Sequence, residues 1–348
     1  MRLRYSSKNQ FSYCFFVYLL LVIIMLITKE YEALDLWRYY DFAKTDAFYY
    51  HSITDLIANK VELYTDFIYF TALWLAAKIG ISMDLVTALF MTVYYVTVSI
   101  VIKKHFKNMF IPFSILMFSM MFAPFILVQT ISRNLAAISL CYVGIKNYLS
   151  GKYLKFIFWG IACVFTHFSM LMYIPIFVAS HYLLKINISR KFIQGTLLAM
   201  LVFSFLTPSY VLDLLSLVLQ GSDHRFEDTY GGMEASGALL SRNIGYGDKL
   251  PILIGYIYSV VLVFLNKSRD YMFWCLFLLV AMLSFFVLSS LMFTNRIMML
   301  MTLFVAWNSV KTYLLCNKTE KIILTVVASL GCVAVLAHFY SYRPMFGF

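Results

Sequence analysis

The sequence predicts an all-α, polytopic membrane helix bundle of about eleven or twelve transmembrane segments, and three observations carry that prediction. Only 13% of the 348 residues are charged and 62% are hydrophobic, whereas a soluble domain carries about 25% charged residues. The mean hydropathy is +0.81, so there is more apolar surface than one core can absorb, and lipid must solvate much of it. The apolar residues also fall in runs close to the roughly 17–25 residues that a crossing needs. In hydrocarbon such runs must be helical, because an unpaired backbone amide there is too costly. Phe (33), Tyr (26) and Met (19) are abundant, as expected where aromatic rings line a lipid–water boundary.

In chain order the runs are 11–28, 61–80, 84–102, 109–128, 133–149, 153–184, 190–207, 249–265, 271–293, 297–315 and 321–340. The first leads into Lys29-Glu30-Tyr31-Glu32 without a small-residue cleavage site, so it is expected to be a retained helix. The run 153–184 is too long for one ordinary helix and is expected to break near His167 into two short crossings. Without internal repeats, residues 1–348 are expected to form a single transmembrane domain. Its outer loops are 29–60 and 208–248, the second opening with an amphipathic stretch, Tyr210–Gln220, along the membrane surface.

Orientation follows from Lys and Arg near the span ends. Residues Arg2, Arg4 and Lys8 are placed in the cytoplasm. They are joined there by Lys103/Lys104/Lys107, Lys146/Lys152/Lys155, Lys185/Arg190/Lys191, Lys267/Arg269 and Lys311/Lys318/Lys321. Most acids then fall outside. This pattern conflicts with two full crossings over 61–80 and 84–102. It is relieved if 61–80, which carries Asp66 and Lys78, is re-entrant or interfacial on the outer side.

The formal charge of +11 does not imply nucleic acid, because the basic residues sit in small groups between apolar runs. The six cysteines form no CxxC pair and suggest neither disulfides nor zinc. Walker A, HExxH and GxSxG motifs are absent, which argues against ATP hydrolysis, zinc proteolysis and serine esterase chemistry.

The inner face prefers lysine, while the outer face holds isolated arginines at span ends and in the long loop: Arg133, Arg296, Arg225 and Arg242. A guanidinium presents a planar fork that grips phosphate oxygens bidentately, so converging outer arginines suit a diphosphate. The bland alternative is that each snorkels to the interface or pairs with an outer acid. Arg133 and Arg296 each directly precede an apolar run, where a cation opposes the helix dipole and needs compensation. His167, inside an apolar stretch, is either a proton-transfer or phosphate-binding group or a hydrogen-bonded core histidine. The first outer loop and the segment after it offer Asp35, Asp41, Glu62 and Asp66 with Tyr39, Tyr40 and Tyr64. Most of these acids are expected to be simply solvated. One could serve as general base, with Asp35 or Glu62 the candidates, and the tyrosines could stack on sugar rings.

The order of these features resembles the EpsG-like branch of bacterial Wzy polysaccharide polymerases. The resemblance rests on Asp35 with Tyr39-Tyr40, Glu62-Leu63-Tyr64, and Ser132-Arg133-Asn134-Leu135-Ala136-Ala137 opening a helix. It is completed by the turn Tyr148–Tyr153 and by Phe165-Thr166-His167-Phe168-Ser169. It covers roughly 30–300 and is sharpest over 129–176. Two positions depart from the family pattern: Glu62-Leu63-Tyr64 lacks the usual Pro-Gly, and Asn134 replaces a glutamine.

The resemblance implies an O-antigen or exopolysaccharide polymerase in a bacterial inner membrane, with its site facing the periplasm or outside. Such an enzyme transfers a growing glycan from polyprenyl diphosphate to another lipid-linked repeat unit, and implies no metal, other cofactor or nucleotide sugar. Arg133, Arg296 and Arg225 would hold the donor diphosphate. His167, Asp35 and Glu62 would be catalytic, and Tyr39, Tyr40 and Tyr64 would bind sugar. Implied partners are the polyprenyl-diphosphate-linked oligosaccharide, membrane lipids, and the chain-length regulator and flippase of the same pathway, with no nucleic acid. Two other readings remain open: a multi-span glycosyltransferase using polyprenyl-phosphate sugars, and a glycolipid transporter or flippase.

Overall fold

The computed structural model describes residues 42–59, 66–105, 132–206, 246–286 and 291–341. Every regular element among them is helical, as the composition demands. Following a π-helical turn, Phe42–Asp46, come α1 (Ile53–Asn59), α2 (Phe67–Lys78), α3 (Met83–His105), α4 (Ser132–Leu149) and α5 (Tyr153–Thr166). A 3-10 turn, Phe168–Tyr173, leads into α6 (Ile174–Leu183) and α7 (Arg190–Leu206). The remainder is α8 (Tyr246–Leu265), α9 (Tyr271–Phe286), α10 (Leu291–Leu315) and α11 (Lys318–Ser341).

Most of these helices coincide with the runs expected from hydropathy, and the expected break at His167 is present. Among the described residues, however, no helix is long and apolar enough to cross a membrane. Helix α2 has only 12 residues and rises roughly 18 Å, well short of a hydrocarbon layer of about 30 Å. The runs 11–28 and 109–128 and the stretch Tyr210–Gln220 lie outside the described residues.

Contacts group the chain into two compact units. The first contains Met1–Ile111, Pro124–Ile174 and Tyr342–Phe348; the second contains Pro112–Ala123 and Pro175–Ser341.

In the first unit α4 and α5 form an antiparallel hairpin, with α3 packed on α4 and α2 on α5. The hairpin turns at Gly151, whose φ of +73° is a left-handed conformation that costs a side chain about 1–2 kcal/mol. The Gly151 N–H donates to the Tyr148 carbonyl and the Lys152 N–H to that of Asn147, both at 2.9 Å, closing α4 with a Schellman motif. Helix α2 ends the same way at Gly80 (φ +73°), where the Ile81 N–H reaches the Ala76 carbonyl. Its buried face, Tyr69, Phe70, Leu73 and Trp74, packs on Phe42, Ala47 and Leu56.

In the second unit α9 packs on α7, α8 and α10, and α11 lies on α8. Polar side chains tie this apolar packing together. Fully buried Asn308 donates from Nδ2 to the Met272 and Phe304 carbonyls at 2.9 and 2.8 Å, and its Oδ1 accepts from Asn266 at 2.7 Å. The Tyr258 hydroxyl meets Ser309 at 2.8 Å. At the start of α11 the Asn317 side chain accepts from the Glu320 N–H, while Glu320 accepts from the Asn317 N–H, forming a reciprocal N-terminal cap.

Large apolar side chains line the outward faces at helical spacing. They include Leu85, Leu89 and Val93 on α3, Leu154, Phe158, Ile161 and Phe165 on α5, and Ile322, Val326 and Leu330 on α11. A helix facing water shows polar residues on that side.

The α4–α5 contact requires a small residue at position 144, which is Gly144. A Cβ there would lie 3.4 Å from Trp159 Cβ and 3.7 Å from the Phe156 carbonyl oxygen, leaving room for a methyl group and nothing larger. Gly144→Ala is expected to match the wild-type protein in thermal unfolding. Gly144→Leu should lose about 1–3 kcal/mol through overpacking. A wild-type Tm for the leucine variant would show that the hairpin does not need this close approach.

Candidate functional site

The turn at Ser150-Gly151 fixes which residues meet at the far end of the hairpin. Arg133 and His167 each lie 17 positions from Ser150, so antiparallel packing returns them to the same level. Lys146, Lys152 and Lys155 stay at the turn end. Cross-contacts hold the register: the Cys163 thiol donates to the Ala137 carbonyl at 3.1 Å, with Ala137 fully buried.

Asp66 completes the site. One carboxylate oxygen, Oδ2, accepts from Arg133 Nη1 at 2.6 Å, and the other, Oδ1, lies 2.8 Å from His167 Nδ1. Side-chain exposure is only 7% for Asp66, 9% for His167 and 15% for Arg133. An ionised carboxylate offers only acceptors, so Nδ1 carries the proton in this contact and the basic lone pair belongs to Nε2.

Local structure explains why these groups can meet. Helix α5 ends at His167, whose extended backbone (φ −156°, ψ 113°) still donates its N–H to the Cys163 carbonyl. The side chain is thereby released from the helical direction before the 3-10 turn begins. Asp66 is the N-cap of α2, a position where aspartate ordinarily bonds to helix amides. It makes no such side-chain cap bond, because both carboxylate oxygens face the hairpin. Phe67, the next residue, packs edge-on against Phe165 with ring centroids 6.3 Å apart.

With Arg133 and Asp66 ionised and His167 neutral, the three groups sum to zero charge. One further proton on His167 would bring the sum to +1.

Of the residues expected from sequence, Arg133 and His167 come together. Asp35, Tyr39, Tyr40, Glu62, Tyr64 and Arg225 lie outside the described residues. Arg296 falls within α10, in the second unit, with its side chain outside the described residues. Asp66 belongs to the group of acids expected from sequence to be mostly solvated and is not among the site residues that the sequence points to. Its signal was available: within the run 61–80 it adjoins a long apolar stretch, and a buried carboxylate requires a cation.

No curated protein and no solved structure matches the chain. A family model does match over nearly the whole length, from the first apolar run to the last residue, and it spans all three residues of the cluster. With residues 10–348 matched, the chain belongs to the EpsG family.

Proposed function

We propose that this protein is a membrane-embedded polysaccharide polymerase. It transfers a growing glycan from polyprenyl diphosphate to the sugar end of another lipid-linked repeat unit at the outer leaflet. Membership of the EpsG family supports polysaccharide biosynthesis. The observation that carries the site is the Asp66 carboxylate bridging Arg133 and His167 in a largely buried setting. Membrane embedding is supported by the apolar outward faces of α3, α5 and α11 and by the grouping of basic residues between apolar runs.

In this reading His167 is the proton acceptor. Asp66 holds Nδ1, so Nε2 removes the proton from the acceptor sugar hydroxyl as that oxygen bonds to the donor anomeric carbon. The bond from that carbon to the phosphate oxygen breaks, and its electron pair leaves with the polyprenyl diphosphate. Arg133 is oriented by its bond to Asp66 and supplies positive charge where the leaving group develops negative charge. Arg296 and Arg225 are proposed as further diphosphate ligands. Asp35 or Glu62 is the alternative base, and Tyr39, Tyr40 and Tyr64 are the sugar platform.

Separating chemistry from packing requires paired variants. Arg133→Ala alone leaves the Asp66 charge buried without that cation, a change that typically costs about 3–5 kcal/mol, and protein abundance should fall. In Asp66→Asn/Arg133→Gln both charges are gone, so abundance should recover while long-chain glycan stays absent. Wild-type chain lengths from the double variant would reduce the pair to a structural tie.

His167→Gln keeps hydrogen-bonding capacity and removes the titratable proton. Normal abundance with single-repeat glycan accumulating is the expected profile in a strain lacking the chromosomal copy. Long chains from this variant would remove His167 from the reaction.

Orientation is tested by cysteine labelling of intact cells. Phe226→Cys and Glu234→Cys should react with an impermeant maleimide, whereas Lys104→Cys and Lys152→Cys should react only after permeabilisation. The reverse pattern would place the site on the wrong side for a lipid-linked acceptor.

A further inference from the structure

The second unit contains a cleft of about 210 Å³ at one end of α7, α8 and α9, lined by Arg190, Gln194, Lys267 and Arg269 over a floor that includes Leu197 and Phe264. Its charge is unevenly compensated. Lys267 donates to Glu320 at 2.8 Å, and this bond, with the Asn317 amide, holds the Glu320 carboxyl below its usual value. The two guanidinium groups have no such acid: Arg190 donates to the Phe264 carbonyl and Arg269 to the Ile188 carbonyl. Neither pairs with a carboxylate among the described residues. Two guanidinium groups without a carboxylate partner among the described residues thus line one cleft, and a guanidinium is a donor group suited to phosphate oxygens.

The surface of α7 identifies the rest of the ligand. Arg190, Gln194, Leu198 and Val202 recur every four residues, so successive members are neighbours in a row that winds slowly round the helix, by about 120° from first to last. The first two line the cleft, while Leu198 and Val202 are 63% and 47% exposed. A ligand seated there meets cations at one end and an open apolar track beyond. The cleft is below the roughly 300–1,000 Å³ typical of pockets for drug-sized molecules, enough for a headgroup and too small for an oligosaccharide.

We infer that this cleft is a binding site for the phosphate headgroup of an anionic phospholipid, whose acyl chain lies along the Leu198–Val202 face of α7. Basic pockets between helices on a cytoplasmic face are suited to such lipids, and these residues belong to the lysine-rich side of the chain. The inference rests on membrane embedding and is independent of the polymerisation chemistry, which glycan profiles test separately.

The test uses the full-length protein in uncharged detergent, titrated with phosphatidylglycerol, phosphatidylcholine or inorganic phosphate, with Tm as the readout. Phosphatidylglycerol should raise Tm by about 5 °C near saturation, and the other two should leave it unchanged. Arg190→Lys/Arg269→Lys keeps both charges and a donor for each carbonyl, so its Tm without lipid should match wild type. It should nevertheless lose most of the phosphatidylglycerol shift, because an ammonium cannot reproduce the fork. An equal shift in the double variant, a shift with phosphatidylcholine as large as with phosphatidylglycerol, or a shift reproduced by inorganic phosphate would each overturn the proposal.

Discussion

A carboxylate removed from water has to be matched by donors and positive charge, and in the first unit Asp66 imposes that requirement on everything around it. With 5% of its surface exposed, it is satisfied through one oxygen by Arg133 and through the other by His167. Those two bonds join the start of α2, the start of α4 and the end of α5. Removing one partner of such a cluster is far more disruptive than its net contribution to stability suggests, since the desolvation cost remains after the attraction is lost. The same geometry sets the His167 tautomer and the orientation of the Arg133 guanidinium. The same two contacts thus dock three elements and fix the orientation of these side chains.

The hairpin gives this cluster its place. Gly151 permits the reversal and Gly144 permits the close approach of α4 and α5. Together they bring Arg133 and His167 to one level, although 34 positions separate them in the chain. The two ends of the hairpin then differ in chemistry: lysines surround the turn, while a guanidinium, a carboxylate and an imidazole occupy the far end. Lysine is a flexible point charge, and arginine offers a fixed planar fork.

The second unit has a different internal logic. Interhelical hydrogen bonds cross its apolar packing, where a buried polar group without a partner would be costly. Asn308, Asn266, Tyr258 and Ser309 are bonds of that type, placed among leucine and phenylalanine side chains. They specify helix register where shape alone would allow sliding. Its outward faces carry exposed apolar side chains at four-residue spacing, among them Leu198 and Val202 on α7 and Ile322, Val326 and Leu330 on α11.

The sequence by itself determined that the regular elements among the described residues are helical, where most of those helices begin and end, that the long apolar run breaks at His167, and that Arg133, Arg296 and His167 stand apart from other polar residues. These are local or compositional properties: hydropathy, run length and the anomaly of a charge beside an apolar helix. It did not determine which acid meets them, because Asp35, Asp41, Glu62 and Asp66 have equivalent chemistry and differ only in position after folding. It also did not reveal that Arg190 and Arg269 share a cleft, since 79 residues separate them. Tertiary structure decided both questions. The reach of a buried carboxylate is only a hydrogen bond, so the partner is chosen by how helices dock, and no one-dimensional pattern records that choice.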